Sequence, residues 1–200
     1  MAYELSSPSL TERQSDLTAR LILDAAIATL EDESVKGLTV RAVAARANIS
    51  ERTVFRYFAT RDDFLDGVAL EVMRRLRTPD HPRTLEELLA APAALYACFE
   101  AQHKLTVTTL HTEISQRIRA NIAKGRWVAV RKLVDRLASR KPENERKIAA
   151  ANIRFFLAAS TWHYYRTTFG LSAAETVECA EVAIRQALAG LGVRLPKRAS

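Results

Sequence analysis

Arg41, Arg52, Arg56 and Arg61 recur along the stretch from Thr39 to Arg61, TVRAVAARANISERTVFRYFATR, with Thr39, Ser50, Thr53 and Tyr57 set among them. Guanidinium groups in helical sequence suit a polyanion: they neutralise phosphate and offer paired donors to a guanine edge. Interleaved hydroxyl groups add donors to the phosphate backbone. From Lys36 to Arg61 six cations face the single anion Glu51, a net charge of +5. Residues 1–77 as a whole carry eleven cations and twelve anions, so this charge is focused on one segment. The chemistry indicated is binding of duplex DNA. A catalytic reading has less to stand on, since the chain shows no P-loop, dinucleotide fingerprint, nucleophile elbow or His-rich metal spacing. No catalytic residue, metal ligand or cofactor is expected.

Two short helices must hold these side chains. Thr39 can cap a helix over Val40–Arg46, and Ser50 can cap another over Glu51–Phe58. Between them, Ala44, Asn48 and Val54 follow the spacing of a helix-turn-helix: a small residue at the close approach, a residue that tolerates left-handed backbone at the turn, and an apolar lock on the second helix. Val40, Val43, Ala47, Ile49 and Phe58 complete a small apolar core. The second helix is then the one presented to a DNA groove, with Arg41 on the first reaching a base edge and Arg61 clamping a phosphate.

The rest of the chain reads as helical throughout. Only six Gly and six Pro occur in 200 residues, 48% of which are apolar. Residues 1–10 form a mobile tail. Thr11 and Gln14 can make a capping box for a helix to about Glu31, with Leu17, Leu21, Ala25, Ala28 and Leu30 on its apolar side. Thr60, with Asp63, caps a helix that continues to about Arg77. Thr78-Pro-Asp-His-Pro82 is a boundary, because two prolines stop helix propagation. This separates a head, 11–77, from a body, 78–200. In the body, capping boxes open helices at Thr84 and Ser172, and single helices are expected over 111–140 and 143–169.

The segments Arg20-Leu-Ile-Leu-Asp-Ala-Ala, Gly37-Leu-Thr-Val-Arg-Ala-Val-Ala, Ala47-Asn-Ile-Ser-Glu-Arg-Thr-Val-Phe-Arg-Tyr-Phe and Arg61-Asp-Asp-Phe-Leu resemble the TetR family of transcriptional regulators. The resemblance covers about residues 15–66. It implies a three-helix DNA-binding head, a helical effector-binding body and dimers joined through a four-helix bundle. The chain departs from the family pattern at three positions: Asn48 stands where Gly is usual, Arg61 where Lys is usual, and Phe55 where Tyr is frequent.

In the body, Ile148, Phe155, Ala159 and Trp162 form one apolar stripe, and Val177, Ala180, Ile184, Leu188 and Leu191 form another. Two such helices per chain can pair with their copies, which makes Phe155, Ala159, Val177, Ala180, Ile184, Leu188 and Leu191 the expected dimer interface. Phe99, His103, His111, Trp127, Phe156, Trp162, His163 and Tyr165 offer the aromatic walls and scattered polar groups of a small-molecule pocket. Residues 117–141 carry nine cations against Asp135, a net charge of +8. An anionic effector or added attraction to DNA are two readings. The favoured one is a solvated face opposite Ile114, Ile118, Ile122, Val130, Val134 and Leu137.

The N-terminus has no apolar core for a signal peptide, and the run Ile148–Tyr165 is interrupted by Asn152, Arg154 and His163, so no membrane partner is expected. Cys98 and Cys179 match no metal-ligand spacing and fit a reducing cytoplasm. These readings converge on an all-α chain: an N-terminal three-helix helix-turn-helix DNA-binding head and a C-terminal helical effector-binding and dimerisation body. The expected function is a dimeric repressor, released from a pseudo-palindromic operator by a small-molecule effector. An architectural DNA-binding protein without an effector is the alternative, followed by an enzyme with a helical body.

Overall fold

The computed structural model describes residues 10–32, 38–120 and 124–197, and among them the only regular structure is helical. The chain divides into two compact units, Met1–Val72 and Met73–Ser200, so the division falls within a helix, a few residues before the Pro-rich boundary read from the sequence. No helix among the described residues is long and apolar enough to cross a membrane.

The first unit contains α1 (Leu10–Asp32), α2 (Val40–Arg46), α3 (Glu51–Tyr57) and the start of α4 (Arg61–Leu76). Ile22, Ala26, Ile27, Val43, Val54, Phe64, Leu65 and Val68 form its core. The α1 face differs from expectation: Leu17 and Leu21 are 66% and 46% exposed, whereas Ile22, Ala25, Ala26 and Leu30 are buried. Burial follows the C-terminal half of α1, and α1 packs against α2. The Thr11 side chain, residues 1–9, Lys36 and Ile122 lie outside what the structure describes.

The second unit holds α5 (Leu85–Ala101), α6 (His103–Leu110), α7 (Glu113–Ile118), α8 (Lys124–Leu137), α9 (Glu143–Phe156), α10 (Ala159–Thr167) and α11 (Ala173–Gly190). Its core joins α5, α8, α9 and α11 around Leu88, Leu95, Tyr96, Val130, Val134, Ala150, Ile153, Ile184 and Leu188. The capping boxes at Thr84 and Ser172 are both formed.

Two helices expected to be continuous are broken. The 111–140 segment starts only after Thr112, whose backbone is extended and whose hydroxyl donates to the Thr109 carbonyl at 2.8 Å, and it divides into α7, ending at Ile118, and α8, starting at Lys124. The 143–169 segment breaks at Ala158, also extended. A helix end leaves carbonyls without partners, and here side chains take them. Thr161 Oγ1 donates to Phe155 O at 2.6 Å, and Tyr96 Oη donates to Phe156 O at 2.6 Å. Hydroxyls that look like ordinary core residues in sequence stabilise the break.

The dimer stripe also needs correction. Ala180, Ile184 and Leu188 are fully buried, and Leu191 nearly so, against α5, α9 and the rest of their own chain. Ala159 and Val177 are half-buried against the same core. Of the expected set only Phe155 stays open, at 60% exposure, two helical turns from Ile148 at 54%.

Candidate nucleic-acid interface and ligand cavity

The helix pair in the head is built by its backbone. α2 ends at Ala47, and Asn48 takes φ 53, the left-handed conformation required to leave the helix. The Ile49 amide then donates to Ala44 O at 3.0 Å and the Asn48 amide to Ala45 O at 3.1 Å. This double closure is a Schellman turn, which satisfies two helix-end carbonyls. Ser50 follows directly and its Oγ accepts the Thr53 amide at 3.1 Å, starting α3. Thr39 does the same for α2, accepting the Ala42 amide at 3.1 Å. Val54, fully buried, turns one side of α3 inward. Arg52, Phe55 and Arg56 are left exposed on the other.

The predicted DNA-facing residues therefore fall into distinct environments. Arg41 and Arg52 are exposed and have no protein partner among the described residues. Arg56 lies 5.3 Å from the centroid of the Tyr57 ring. The Thr18 hydroxyl, with smaller contributions from Arg56 and Ser15, holds the Tyr57 phenol below its usual range, so Tyr57 reaches back to α1. Thr53 Oγ1 lies 2.9 Å from Ser50 Oγ, which ties these two hydroxyls to each other as well as to the cap. Arg61 is exposed at the first turn of α4, a turn closed by reciprocal bonds between Thr60 and Asp63. Arg46, counted in the basic segment, instead pairs with Asp32 of α1 at 2.8 Å.

The body contains a cavity of about 300 Å³. Met73 and Leu76 from the last turn of α4, Phe99, Thr106, Thr109, His111, Ser115, Arg126, Arg154, His163 and Tyr164 are among its lining. Of the predicted pocket residues, Phe99, His111 and His163 line it. Trp162, Trp127, Phe156 and Tyr165 do not: Trp162 is fully buried in the core, and Trp127 and Phe156 pack against that core. Trp162 Nε1 donates to Glu100 Oε1 at 3.0 Å, and His103, itself exposed, sits edge-on to the Trp162 ring.

Sequence reasoning missed Arg126 and Arg154. Arg126 belongs to the +8 segment read as a solvated face, yet it is 7% exposed. Burial, and after it the like charge of Arg154, lowers its guanidinium to about 10, and burial lowers Arg154 as well. Arg126 remains a cation at neutral pH. Burial, then His111 and His103, lowers the His163 imidazole. The one available signal was small: Arg126 sits four residues before Val130, on the apolar side of α8.

Residues 22–68 match the family model for bacterial regulatory proteins of the tetR family. Over 64 residues the chain is 39% identical to uncharacterized helix-turn-helix-type transcriptional regulators of Mycobacterium bovis and Mycobacterium tuberculosis. That stretch is 32% of this chain, and the chain spans only 30% of the length of those relatives. A Mesorhizobium loti protein assigned to the TetR-family transcriptional regulators shares the fold with a TM-score of 0.55 at 20% identity, covering 88% of this chain and 98% of that one. A transcriptional regulator of a Rhodococcus species does so at 0.52 and 17%, covering 86% and 96%. Head and body together thus define an all-helical helix-turn-helix protein. Residues 22–68 are similar to the DNA-binding segment of the tetR family of bacterial regulatory proteins, and the fold is shared with the two solved structures.

Proposed function

We propose that this chain is a transcriptional repressor that binds duplex DNA as a homodimer and is released by a small molecule bound in the body. The observation that carries the reading is the Asn48 turn, which fixes α3 on α2 with Arg41 and Arg52 exposed and without partners among the described residues. Arg41 and Arg52 serve base edges, Arg56 and the capped hydroxyls serve phosphate, and Arg61 adds a phosphate contact beside the α4 N-terminus. Phe55, 42% exposed, offers an apolar ring where a hydroxyl would bond phosphate, and suits a thymine methyl.

The cavity favours an effector over a purely architectural role. α4 starts at Arg61, and its last turn supplies Met73 and Leu76 to the cavity wall, so a ligand that prefers one position of that helix end biases the helix. Ile148 and Phe155 support self-association through α9, as a pseudo-palindromic site requires. Activity on DNA implies a cytoplasmic location. An enzyme is the weaker reading, and chemical change in a bound ligand would revive it.

The test is selection of DNA fragments by the purified protein, followed by titration of operator and random duplex. Affinity should fall steeply with salt. Arg41→Ala should lose about 10-fold to 100-fold on the operator and little on random DNA, as expected for ~1–3 kcal/mol of base discrimination. Arg61→Ala should weaken both alike. Equal losses on the two DNAs for Arg41→Ala would remove Arg41 from base reading.

A further inference from the structure

Partly buried arginines in the body are matched with acceptors, with two exceptions. Arg131 and Arg146 share Asp135 at 2.8 and 2.7 Å, Arg166 lies 2.8 Å from Glu100, and Arg185 lies 3.2 Å from Glu181. Arg126, more buried than any of these, and Arg154 have neither a carboxylate nor a hydrogen-bond acceptor among the described residues. Asp80, exposed in an adjoining hollow that Arg126 also lines, makes no ion pair with it. Both arginines line the cavity of about 300 Å³, where Thr109 Oγ1 and His163 Nδ1 are also buried without partners. No acidic side chain lines it among the described residues. Met73, Leu76 and Phe99 make other parts of the wall apolar.

We infer that the cavity is a site for an amphipathic anion, a compact apolar body with one carboxylate-like head held between Arg126 and Arg154. Buried cations are ordinarily paired, and the missing member here is an acceptor that the described residues do not supply. The guanidinium fork matches a two-oxygen head. Thr109 Oγ1 and His163 Nδ1 remain for its other lone pairs or for a polar group on the body. At ~30 Å³ per water-sized group the cavity holds about ten such groups, which is the size of octanoate. The inference rests on the effector reading above and specifies the ligand's charge, which that reading leaves open.

The test is calorimetric titration of the full-length protein with octanoate, octyl phosphate, octanol and octylammonium. Octanoate should bind at least about tenfold tighter than octanol, the range of a charged hydrogen bond, and octylammonium should not bind. Arg126→Met and Arg154→Met should each bring octanoate close to octanol, with circular dichroism confirming that the variants are folded. If octyl phosphate binds tighter than octanoate, the head is a phosphate and the anion site stands. Octanol equal to octanoate in the wild type, or no binding by either anion, overturns the inference. The regulatory reading is judged separately: octanoate that binds through Arg126 yet leaves operator affinity unchanged refutes effector control and leaves the anion site intact.

Discussion

Replacing Arg126 by methionine should make the ligand-free protein more stable, the opposite of what most core substitutions do. The residue is 7% exposed, and burial lowers its guanidinium from its ordinary range to about 10. At 1.36 kcal/mol per tenfold, holding the charge in the fold costs about 3 kcal/mol. Because the folded value lies below the unfolded one, the unfolded chain binds this proton more tightly. The penalty is complete at neutral pH and fades only as pH rises above about 10, through the folded value toward the higher unfolded one. Methionine keeps much of the aliphatic stem and fills irregular space, so little packing is lost. A gain of about 1–3 kcal/mol follows, which for a chain of this length raises Tm by roughly 2–10 °C. Arg131→Met is the control: Arg131 bonds Asp135 and Glu143, so its loss should bring no gain. Scanning calorimetry of the three proteins without ligand decides the matter. A lower Tm for Arg126→Met would mean that the folded chain already satisfies the charge, and the electrostatic reasoning about the cavity would fall with it.

Three further outcomes follow from the geometry. Asn48→Ala, at φ 53, should lose about 1 kcal/mol and weaken DNA binding, whereas Asn48→Gly should keep both; equal stability for all three would mean the turn carries no strain. Stability in urea should decline as pH falls below about 6.5, because burial and neighbouring cations lower both His81 and His163, and charge on either is disfavoured in the fold. The double variant His81→Gln/His163→Gln should flatten that acid limb, and an unchanged slope would exclude these two groups. Phe155→Glu should shift sedimentation toward monomer, since its ring is exposed on α9; an unaltered dimer would exclude that face from the interface.

The head was readable because its determinants are local. Thr39, Ser50 and Thr60 each act on an amide or carboxylate within three residues, and Asn48 on its own backbone, so residue type and spacing are nearly the whole cause. Where a determinant is distant, reading by spacing failed even here. Arg46 looked like one more cation of the basic face until Asp32, fourteen residues earlier, took it at 2.8 Å. The body was harder for the same reason. The helix break at Ala158 depends on Tyr96 reaching Phe156 O across sixty residues of sequence, and no periodicity carries that information. The stripe on α11 was recognised correctly as apolar, but apolar character does not say whether a residue meets its own chain or a copy. Ile184 and Leu188 meet α5 and α9.

Arg126 shows how a misread residue can be the informative one. Eight of the nine cations in 117–141 compose a basic region whose charge, taken alone, means little. The ninth is 7% exposed, lines the cavity beside Arg154 and has no counterion in the described residues. A neutral ligand entering the cavity would leave that penalty in place. An anion removes it. The charge of the right ligand therefore acts twice, once through its bond to the guanidinium and once by relieving a desolvation cost that the fold already carries. Discrimination of anion from neutral isostere should accordingly exceed what an exposed ion pair gives, about 0–1 kcal/mol. It should shrink toward that exposed value in any variant that opens the cavity around Arg126 to water.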